Sequence, residues 1–205
     1  MAIRELPRAR TKTYTIDDVW ALECDPANEG RYFYLIDGEL YEDPMPNWTH
    51  SELAALIGYL LLSYVRPRKL GSVNSELSAH PADSRRTLLV PDVSFTRAER
   101  VPVPKPKGYA PLFPDIVVEV KSPSNSLAQL RRKARTYLQH GSSLVWLVLP
   151  EQSAVEEWQV DAAGQLQQRL IGRDGALDGG AALPGFEIAL SLLFPPDSNG
   201  EDHAS

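Results

Sequence analysis

The sequence predicts an α/β protein built as one domain. Runs of β-branched and aromatic residues typical of strands recur along the chain, and apolar residues at helical spacing fill two longer segments between them. The composition, 43% hydrophobic and 23% charged in 205 residues, is that of a globular chain that buries roughly 70% of its unfolded surface. We expect an N-terminal arm at 1–12, a single domain at 13–194 and a flexible tail at 195–205.

The N-terminal part of the domain predicts a short helix followed by a hairpin. Thr15 or Asp17 can accept the free amide hydrogens of a helix that continues through residues 19–22. The pair Asp37-Gly38 then separates two strand-like runs, 31–36 and 39–42. Because both central residues of a type I′ turn need positive φ, an Asp-Gly pair here indicates a β-hairpin.

A long helix is predicted after this hairpin. It begins at Trp48 or Ser51 and runs to Val65, and its leucines and alanines fill nearly every face, as in a helix buried on most sides. Pro67 is expected to end the helix, because proline lacks the amide hydrogen that continuation requires. The segment is the candidate central helix of the core.

Strands and one further helix are predicted in the second half. Strands are expected at 73–79, 87–96 and 115–121, with a proline-rich extended loop between the last two. A helix should begin after Ser124, Asn125 or Ser126 and end near Gly141. A buried strand at 144–149 and a polar-faced C-terminal hairpin at 154–160 and 165–171 follow.

Several classes of protein do not fit this sequence. The longest nearly apolar run, 53–65, is shorter than the ~20 residues of a membrane-spanning helix. The first ten residues carry three arginines without a following apolar core, so they do not match a secretory signal. Cys24 is the single cysteine, which makes an intramolecular disulfide impossible. We expect a cytoplasmic protein with no membrane partner.

Charge is distributed unevenly along the chain. The net charge of −6 weighs against a nucleic-acid partner, because affinity for phosphate comes from lysine and arginine. Residues 66–135, however, contain fourteen Lys and Arg against six Asp and Glu. Two interpretations stay open: this basic segment is an electrostatic footprint for nucleic acid, or it is the ordinary variation of a protein surface.

The segment 114–123 carries the strongest chemical signal. In a strand, Asp115, Glu119 and Lys121 share one face, and Ile116, Val118 and Val120 occupy the other. The antiparallel return of the chain brings Asp92 beside Glu119. Two carboxylates with a neighbouring lysine suit a hard cation such as Mg²⁺ or Mn²⁺ and phosphodiester hydrolysis, whereas the simpler alternative is a salt bridge on a half-exposed strand.

Asp92 followed by Glu119-Val120-Lys121 resembles the PD-(D/E)xK nuclease superfamily, and the surrounding pattern resembles its Uma-type branch of putative restriction endonucleases. The resemblance covers roughly residues 13–194. An isolated Asp…Glu-x-Lys pattern is a weak signal, whereas the ordered series is specific. The matching positions are 34–40, 50, 91–94, 114–120, 122–124, 133, 137, 141, 146–148 and 183–186.

The resemblance implies a restriction-endonuclease-like α/β core, with a central mixed sheet flanked by helices and a metal site on adjacent strands. Asp92 and Glu119 then match the metal ligands, Lys121 the catalytic lysine and Glu39 an additional acidic member. Glu39 could equally be ordinary hairpin surface, since it directly follows an Asp-Gly turn. His50 is either a further site residue or a surface or capping residue at a helix start.

Two departures from the branch affect the assignment of the lysine. Many members lack a lysine at the position of Lys121 and use one on the helix, matched here by Lys133, and this chain has both. We favour Lys121 because strand alternation alone places it near Glu119, while Lys133 needs the helix to dock correctly. The branch also commonly has an acidic residue one turn before the helix lysine, where this chain has Gln129.

The leading functional expectation is a Mg²⁺- or Mn²⁺-dependent endonuclease acting on nucleic acid, with DNA favoured. The residues expected to contact the phosphate backbone are Arg131, Arg132, Arg135, Lys105 and Lys107. The alternatives are a catalytically idle binding or regulatory module on the same fold, or a hydrolase of a small phosphodiester. A homodimer is also expected, because related nucleases pair to cut two strands.

Overall fold

The computed structural model describes residues 12–43 and 45–196. The expected N-terminal arm and C-terminal tail lie almost entirely outside these residues. No helix in the described part of the chain is long and apolar enough to cross a membrane. The helices are α1 (Ile16–Glu23), α2 (Trp48–Arg68), α3 (Leu127–Gln139) and α4 (Leu190–Leu193). The strands are β1 (Tyr32–Ile36), β2 (Glu39–Asp43), β3 (Gly71–Ser75), β4 (Val93–Arg97), β5 (Ile116–Val120), β6 (Leu144–Leu149), β7 (Ala154–Val160), β8 (Leu166–Gly172), β9 (Ala176–Asp178) and β10 (Glu187–Ala189).

A six-stranded mixed sheet forms the centre of the fold, in the order β3-β4-β5-β6-β7-β8. Only β5 and β6 run parallel, and α3 connects them. The other neighbouring strands of this sheet pair antiparallel. The strands β1 and β2 form a separate hairpin, as do β9 and β10. The α/β class, the mixed sheet and the hairpins at both ends of the domain are therefore confirmed.

The two faces of the sheet are covered by different elements. On one face α2 and the C-terminal segment enclose a core that includes Ile57, Val118 and Trp146. On the other face α3 and the N-terminal hairpin pack over Val117 and Val145. Both faces of β5 are buried, so the expectation that one face of this strand is charged is wrong. Glu119 lies instead inside the layer formed by α3.

The N-terminal elements follow their sequence signals. Thr15 accepts a hydrogen bond from the Asp18 amide, and the Asp18 carboxylate accepts one from the Thr15 amide, which gives a capping box at α1. In the hairpin turn Asp37 has φ 54° and Gly38 has φ 83°. Two consecutive positive φ values define the type I′ geometry that the Asp-Gly pair predicts.

Two strands are shorter than the apolar pattern predicts. The strand expected at 73–79 ends at Ser75, since Glu76 takes φ 49° and turns the chain. The strand expected at 87–96 begins only at Val93, because Pro91 has no amide hydrogen for a sheet ladder. The skipped residues are nevertheless ordered: Leu88 bridges Leu35 of the hairpin.

The helix α2 differs from its prediction in two respects. It continues through Pro67 to Arg68 and ends where Lys69 adopts a left-handed conformation, φ 54°. It is also buried on one side only, because Tyr59 is 66% exposed and Leu62 is 41% exposed. Because leucine and alanine occur on all sides of α2, the sequence alone did not reveal that one face of the helix is exposed.

The C-terminal hairpin was expected to be polar-faced, but its first strand, β7, is buried along most of its length, whereas β8 is largely exposed. Glu156 and Glu157 on β7 are 3% and 4% exposed. Arg131 of α3 pairs with Glu156, and Arg169 of β8 pairs with Glu157. Buried carboxylates need such partners, so these two glutamates are structural members of the domain.

Candidate active site

Asp92 and Glu119 lie next to each other at one end of the central sheet. The strands β4 and β5 pair antiparallel with Val93 opposite Val118, which brings the residue before β4 opposite Glu119. The Val120 amide donates a hydrogen bond of 2.6 Å to Asp92 Oδ2. The structure thus joins the two carboxylates that the sequence analysis expects to be neighbours.

A buried lysine completes this group. Lys133 Nζ lies 3.1 Å from Glu119 Oε2, and the Tyr137 hydroxyl donates a hydrogen bond of 2.8 Å to Glu119 Oε1. Lys133 and Tyr137 are one turn apart on α3 and point the same way, because residues separated by four share a helix face. Lys133 is 2% exposed and Glu119 is 3% exposed. The helix therefore delivers both partners of Glu119.

Burial and charge change the acidity of this pair. Burial raises the pKa of Glu119 to about 7, although the Lys133 ammonium acts in the opposite direction. Burial alone would lower the pKa of Lys133, yet the carboxylates of Glu119 and Asp43 outweigh it and hold that pKa above its ordinary value. Lys133 thus keeps its positive charge at neutral pH.

Asp43 is a residue of this cluster that the sequence analysis missed. Its Oδ2 lies 3.3 Å from Lys133 Nζ, so one ammonium is shared by two acids. The ring of Tyr34, on the neighbouring strand β1, lies 4.4 Å below the same ammonium. No sequence spacing indicates this contact, since Asp43 reaches the site only because the hairpin docks on α3.

His50 also belongs to the cluster. Its Nε2 lies 3.1 Å from Asp92 Oδ1, and its Nδ1 lies 3.0 Å from the Ser122 hydroxyl. Burial would lower the pKa of His50, but the hydrogen bond and charge of Asp92 hold it above its ordinary value. The first turn of α2 therefore positions a histidine that orients Asp92.

The two candidate lysines contact different acids. Lys121 Nζ lies 3.2 Å from Glu151 Oε2, on the turn after β6. β5 ends at Val120, so strand alternation no longer fixes the direction of the Lys121 side chain. Of the two candidate lysines, Lys133 is therefore the one that contacts Glu119.

Glu39 occupies the outer end of the hairpin. It accepts hydrogen bonds of 2.6 Å from the Tyr41 hydroxyl and from Arg132. Glu39 and Asp43 are four positions apart on β2, about 13 Å along an extended chain. The hydrogen bonds of Glu39 are thus to the hairpin and to α3.

Much of the basic segment is already paired within the chain. Arg131 binds the buried Glu156, and Arg132 binds Glu39. The Arg135 guanidinium lies over the Trp158 ring. The positive charges counted in the sequence are therefore only partly available to an external phosphate.

Lys105 and Lys107 are exposed on the long loop between β4 and β5. That loop leaves β4 at the end of the strand opposite to Asp92. Its base is fixed by Asp115, fully buried and paired with Arg97 and Arg100. The loop that carries the two lysines is therefore anchored at the other end of the sheet.

Two cavities open at the carboxylate cluster. One, of about 380 Å³, lies between the hairpin and α3 and is lined by Asp43, Gln129 and Lys133. The other, of about 430 Å³, lies between α2 and β3 and reaches His50 and Asp92. The first cavity thus reaches Asp43 and Lys133, the second reaches His50 and Asp92, and Glu119 lines neither of them.

The cluster offers few side chains that could bind a metal ion, and most of their ligand atoms are oxygens. Within residues 12–43 and 45–196 no group of three or more His, Cys, Asp or Glu side chains is arranged to hold a metal ion. Zinc sites usually need three or four such ligands. A pair of carboxylates suits Mg²⁺ or Mn²⁺, which keep several water ligands.

Comparison with known protein families assigns the chain to a family. The model of the Uma2 family, described as putative restriction endonuclease, matches residues 17–191. The chain belongs to the Uma2 family. The resemblance to the Uma-type family is therefore confirmed, and the matched region contains both carboxylates, both candidate lysines and His50.

A solved structure shares the Uma2 fold seen here. It is a putative nuclease belonging to DUF820 from Anabaena variabilis, with a TM-score of 0.75 and 21% sequence identity. The alignment covers 88% of this chain and 97% of that chain. At this identity the likeness shows a common fold. No protein with a curated description matches the chain.

Proposed function

We propose that this Uma2 protein is a metal-dependent nuclease that hydrolyses phosphodiester bonds of nucleic acid, with DNA as the favoured substrate. The supporting observation is the Lys133 ammonium, buried and 3.1 Å from Glu119, beside Asp92 on the adjacent strand end. Two acids and one cation at a single point are the groups that metal-assisted phosphoryl hydrolysis requires.

Asp92 and Glu119 are the proposed ligands of Mg²⁺ or Mn²⁺. Each of their four oxygens accepts one hydrogen bond, from His50, Val120, Tyr137 and Lys133 respectively. A carboxylate oxygen has two lone pairs, so each can still face a cation. When bound, the ion would polarise a phosphoryl oxygen and lower the pKa of a coordinated water.

Lys133 is the proposed catalytic lysine. Its fixed positive charge can stabilise the negative charge that develops on the phosphate, an effect that depends on preorganisation. Asp43 and the Tyr34 ring contact the same ammonium. We assign Asp43 a positioning role, because it holds Lys133 in place independently of Glu119.

Tyr137 and His50 are proposed positioning residues for the two carboxylates. The Tyr137 hydroxyl fixes Glu119 Oε1, and His50 fixes Asp92 Oδ1. Ser122 holds the other ring nitrogen of His50. Partners of this kind orient ligands and are as important to a metal site as the ligands themselves.

The proposed contacts to the nucleic-acid backbone come from Arg135, Lys105 and Lys107. Arg131 is assigned to the fold, because it compensates the buried Glu156. Arg132 and Glu39 form an exposed pair beside the hairpin. Glu39 is therefore proposed to assist indirectly, by holding Arg132 at the edge of the site.

The alternative function is a nuclease-fold module that binds without cleaving. One observation favours it: every carboxylate oxygen of Asp92 and Glu119 already has a hydrogen-bond partner in the chain. A structural ion-pair network would have the same property. A nuclease would bind a metal ion and cleave nucleic acid, whereas a binding module would not cleave it.

The deciding experiment incubates the protein with single-stranded DNA, duplex DNA, branched DNA and RNA, each with EDTA, Mg²⁺ or Mn²⁺. Metal-dependent cleavage that disappears in Glu119→Gln supports the nuclease. Glu187→Gln, an exposed glutamate on β10, is the matched control for preparation and contaminating nucleases. Binding of nucleic acid without cleavage under all conditions would support the module instead.

A further inference from the structure

The outer face of α2 carries an apolar stripe along most of the helix. Trp48 is 85% exposed, Tyr59 66% and Leu62 41%, and Ala55 is also exposed. The opposite face, which includes Ile57, is buried against the sheet. Exposed aromatic side chains repeated on one face indicate an interaction surface rather than isolated surface residues.

The spacing of this stripe is that of a helix-packing seam. Exposed residues occur alternately four and three apart, and on a helix they fall within about 80° of arc. Such spacing is the a/d pattern by which one helix packs along another. The seam positions are Trp48, Glu52, Ala55, Tyr59, Leu62 and Arg66. At 21 residues, α2 offers about 31 Å for a packing partner.

The two charges in the seam indicate what the partner is. Glu52 lies seven residues before Tyr59, and Arg66 lies seven residues after it. Both are exposed, and neither forms an ion pair within residues 12–43 and 45–196. A second copy of α2, laid antiparallel with Tyr59 at the two-fold axis, places Glu52 opposite Arg66 twice.

We propose that the outer face of α2 is a two-fold interface between two copies of this chain. The antiparallel arrangement is self-complementary, as a symmetric dimer requires. A parallel arrangement would place Glu52 opposite Glu52 and Arg66 opposite Arg66, and like charges disfavour that alternative. The apolar centre, Ala55, Tyr59 and Leu62, supplies the buried area between the two charge pairs.

The proposed interface leaves the two carboxylate clusters separate. His50 lies nine residues from Tyr59, so the two copies of His50 are about 27 Å apart along the helix axes. The dimer therefore does not depend on the proposed nuclease function, and each cluster needs only its own chain. Cleavage per chain is expected to continue when the dimer dissociates.

Nucleic acid is the other candidate for this aromatic face, because bases stack on exposed Trp and Tyr. The carboxylate of Glu52 lies within the stripe, between Trp48 and Tyr59. A negative charge at this point repels a phosphate backbone, whereas it attracts Arg66 of a second copy. The charge pattern thus favours the protein partner.

Sedimentation of the full chain tests the interface. The wild type is expected to form a species of about 46 kDa, twice the chain mass of 22.8 kDa. Glu52→Arg places two cations at each pair and should weaken the dimer at least about tenfold. The double variant Glu52→Arg with Arg66→Glu restores opposite charges and should return the dissociation constant to within about threefold of the wild type.

Two controls make the test specific. Glu29→Arg changes an exposed acid away from α2 and should leave the dimer unchanged. In a Cys24→Ser background, Tyr59→Cys should form a covalent dimer under oxidation, because two copies of residue 59 meet at the axis. Trp20→Cys in the same background, on the exposed side of α1, should not.

Three results would overturn the proposal. The first is a protein that stays monomeric at all concentrations up to about 100 µM. The dissociation constant of any dimer would then be higher than that of ordinary specific interfaces. The second is a double charge variant no stronger than the single variants, which would exclude this register. The third is a monomer in which Trp48→Ala weakens binding of a single-stranded oligonucleotide, which would assign the face to nucleic acid.

Discussion

The Lys133 ammonium and the Glu119 carboxylate form an ion pair 3.1 Å long that is almost entirely removed from solvent. Removing charges from water costs several kcal/mol per ion in a protein interior, so such a pair persists only with good geometry and further hydrogen bonds. Asp43 and Tyr137 supply those bonds. The fold therefore maintains a costly charged group at the end of β5, which is typical of a functional site.

The first prediction ranks the two lysines. Lys133→Met should reduce metal-dependent cleavage about 10²–10³-fold, as the loss of one preorganised charge does. Lys121→Met should cost less than about tenfold, because its partner is the exposed Glu151. Single-turnover cleavage with matched protein concentrations measures both.

Unfolding must be separated from catalysis in this comparison, because Lys133 is buried. Circular dichroism and thermal melting of each variant provide that control. If Lys133→Met has a much lower melting temperature than the wild type, Lys133→Arg replaces it in the comparison, because arginine retains the positive charge. Should Lys121→Met prove the more damaging variant while folded, the catalytic role would return to Lys121.

The second prediction concerns metal binding. Asp92→Asn should weaken Mn²⁺ binding at least about tenfold, since it removes one of two carboxylate ligands. Mn²⁺ should also raise the melting temperature of the wild type, because an ion that binds only the native state stabilises it. Calorimetric titration checks the first effect. Asp174→Asn, an exposed aspartate in a turn, is the matched control and should bind Mn²⁺ like the wild type.

The third prediction is the pH dependence of this binding. Glu119 must be ionised to bind a cation, and its pKa is raised to about 7 by burial. A cation therefore competes with a proton below pH 7, and the apparent affinity should rise about tenfold per pH unit between pH 5 and 7. Above pH 8 it should level off. An affinity that is constant from pH 5 to 8 would contradict Glu119 as a ligand.

The fold could be predicted largely from local patterns. The turn at Asp37 and Gly38, the cap at Ser126 and the buried strand β6 all depend on residues close in sequence. Strand boundaries were less predictable, because Glu76 adopts a left-handed conformation that its residue type does not indicate. Tertiary contacts, such as that of Leu88 with Leu35, decide those boundaries.

The candidate site was predictable only in part, for a related reason. The antiparallel return of one strand makes Asp92 and Glu119 neighbours, so their proximity could be expected from spacing, whereas their assignment to a site depended on the family resemblance. Lys133 and Asp43 meet only after α3 and the hairpin dock on the sheet. The pairing of Arg131 with the buried Glu156 likewise depends on the docking of α3 on the sheet. The count of Lys and Arg in residues 66–135 therefore overstated the number of cations available to a ligand.

The fourth prediction tests the role of Tyr137 as a positioning residue. Tyr137→Phe leaves Glu119 Oε1 without its 2.8 Å hydrogen bond and should destabilise the fold by about 1–3 kcal/mol. The variant should also lower kcat while changing KM less, because Glu119 is no longer held in place. Urea denaturation and steady-state kinetics measure the two effects. In a Glu119→Gln background the additional loss of stability caused by Tyr137→Phe should be smaller, and an equal loss in both backgrounds would show that Tyr137 does not act through Glu119.

The last prediction separates structural from binding arginines on α3. Arg131 donates hydrogen bonds to both oxygens of Glu156, whose side chain is 3% exposed. Arg131→Met leaves that carboxylate buried without its cation, so the free energy of unfolding should fall by about 1–3 kcal/mol. Arg135→Met should change stability by less than about 1 kcal/mol, because among the described residues Arg135 makes only a ring contact and a bond to its own helix. Oligonucleotide affinity should show the reverse order, with a weaker salt dependence in Arg135→Met than in Arg131→Met. Urea denaturation and binding at several salt concentrations test the pair, and a stable Arg131→Met that loses binding would identify Arg131 as the phosphate contact.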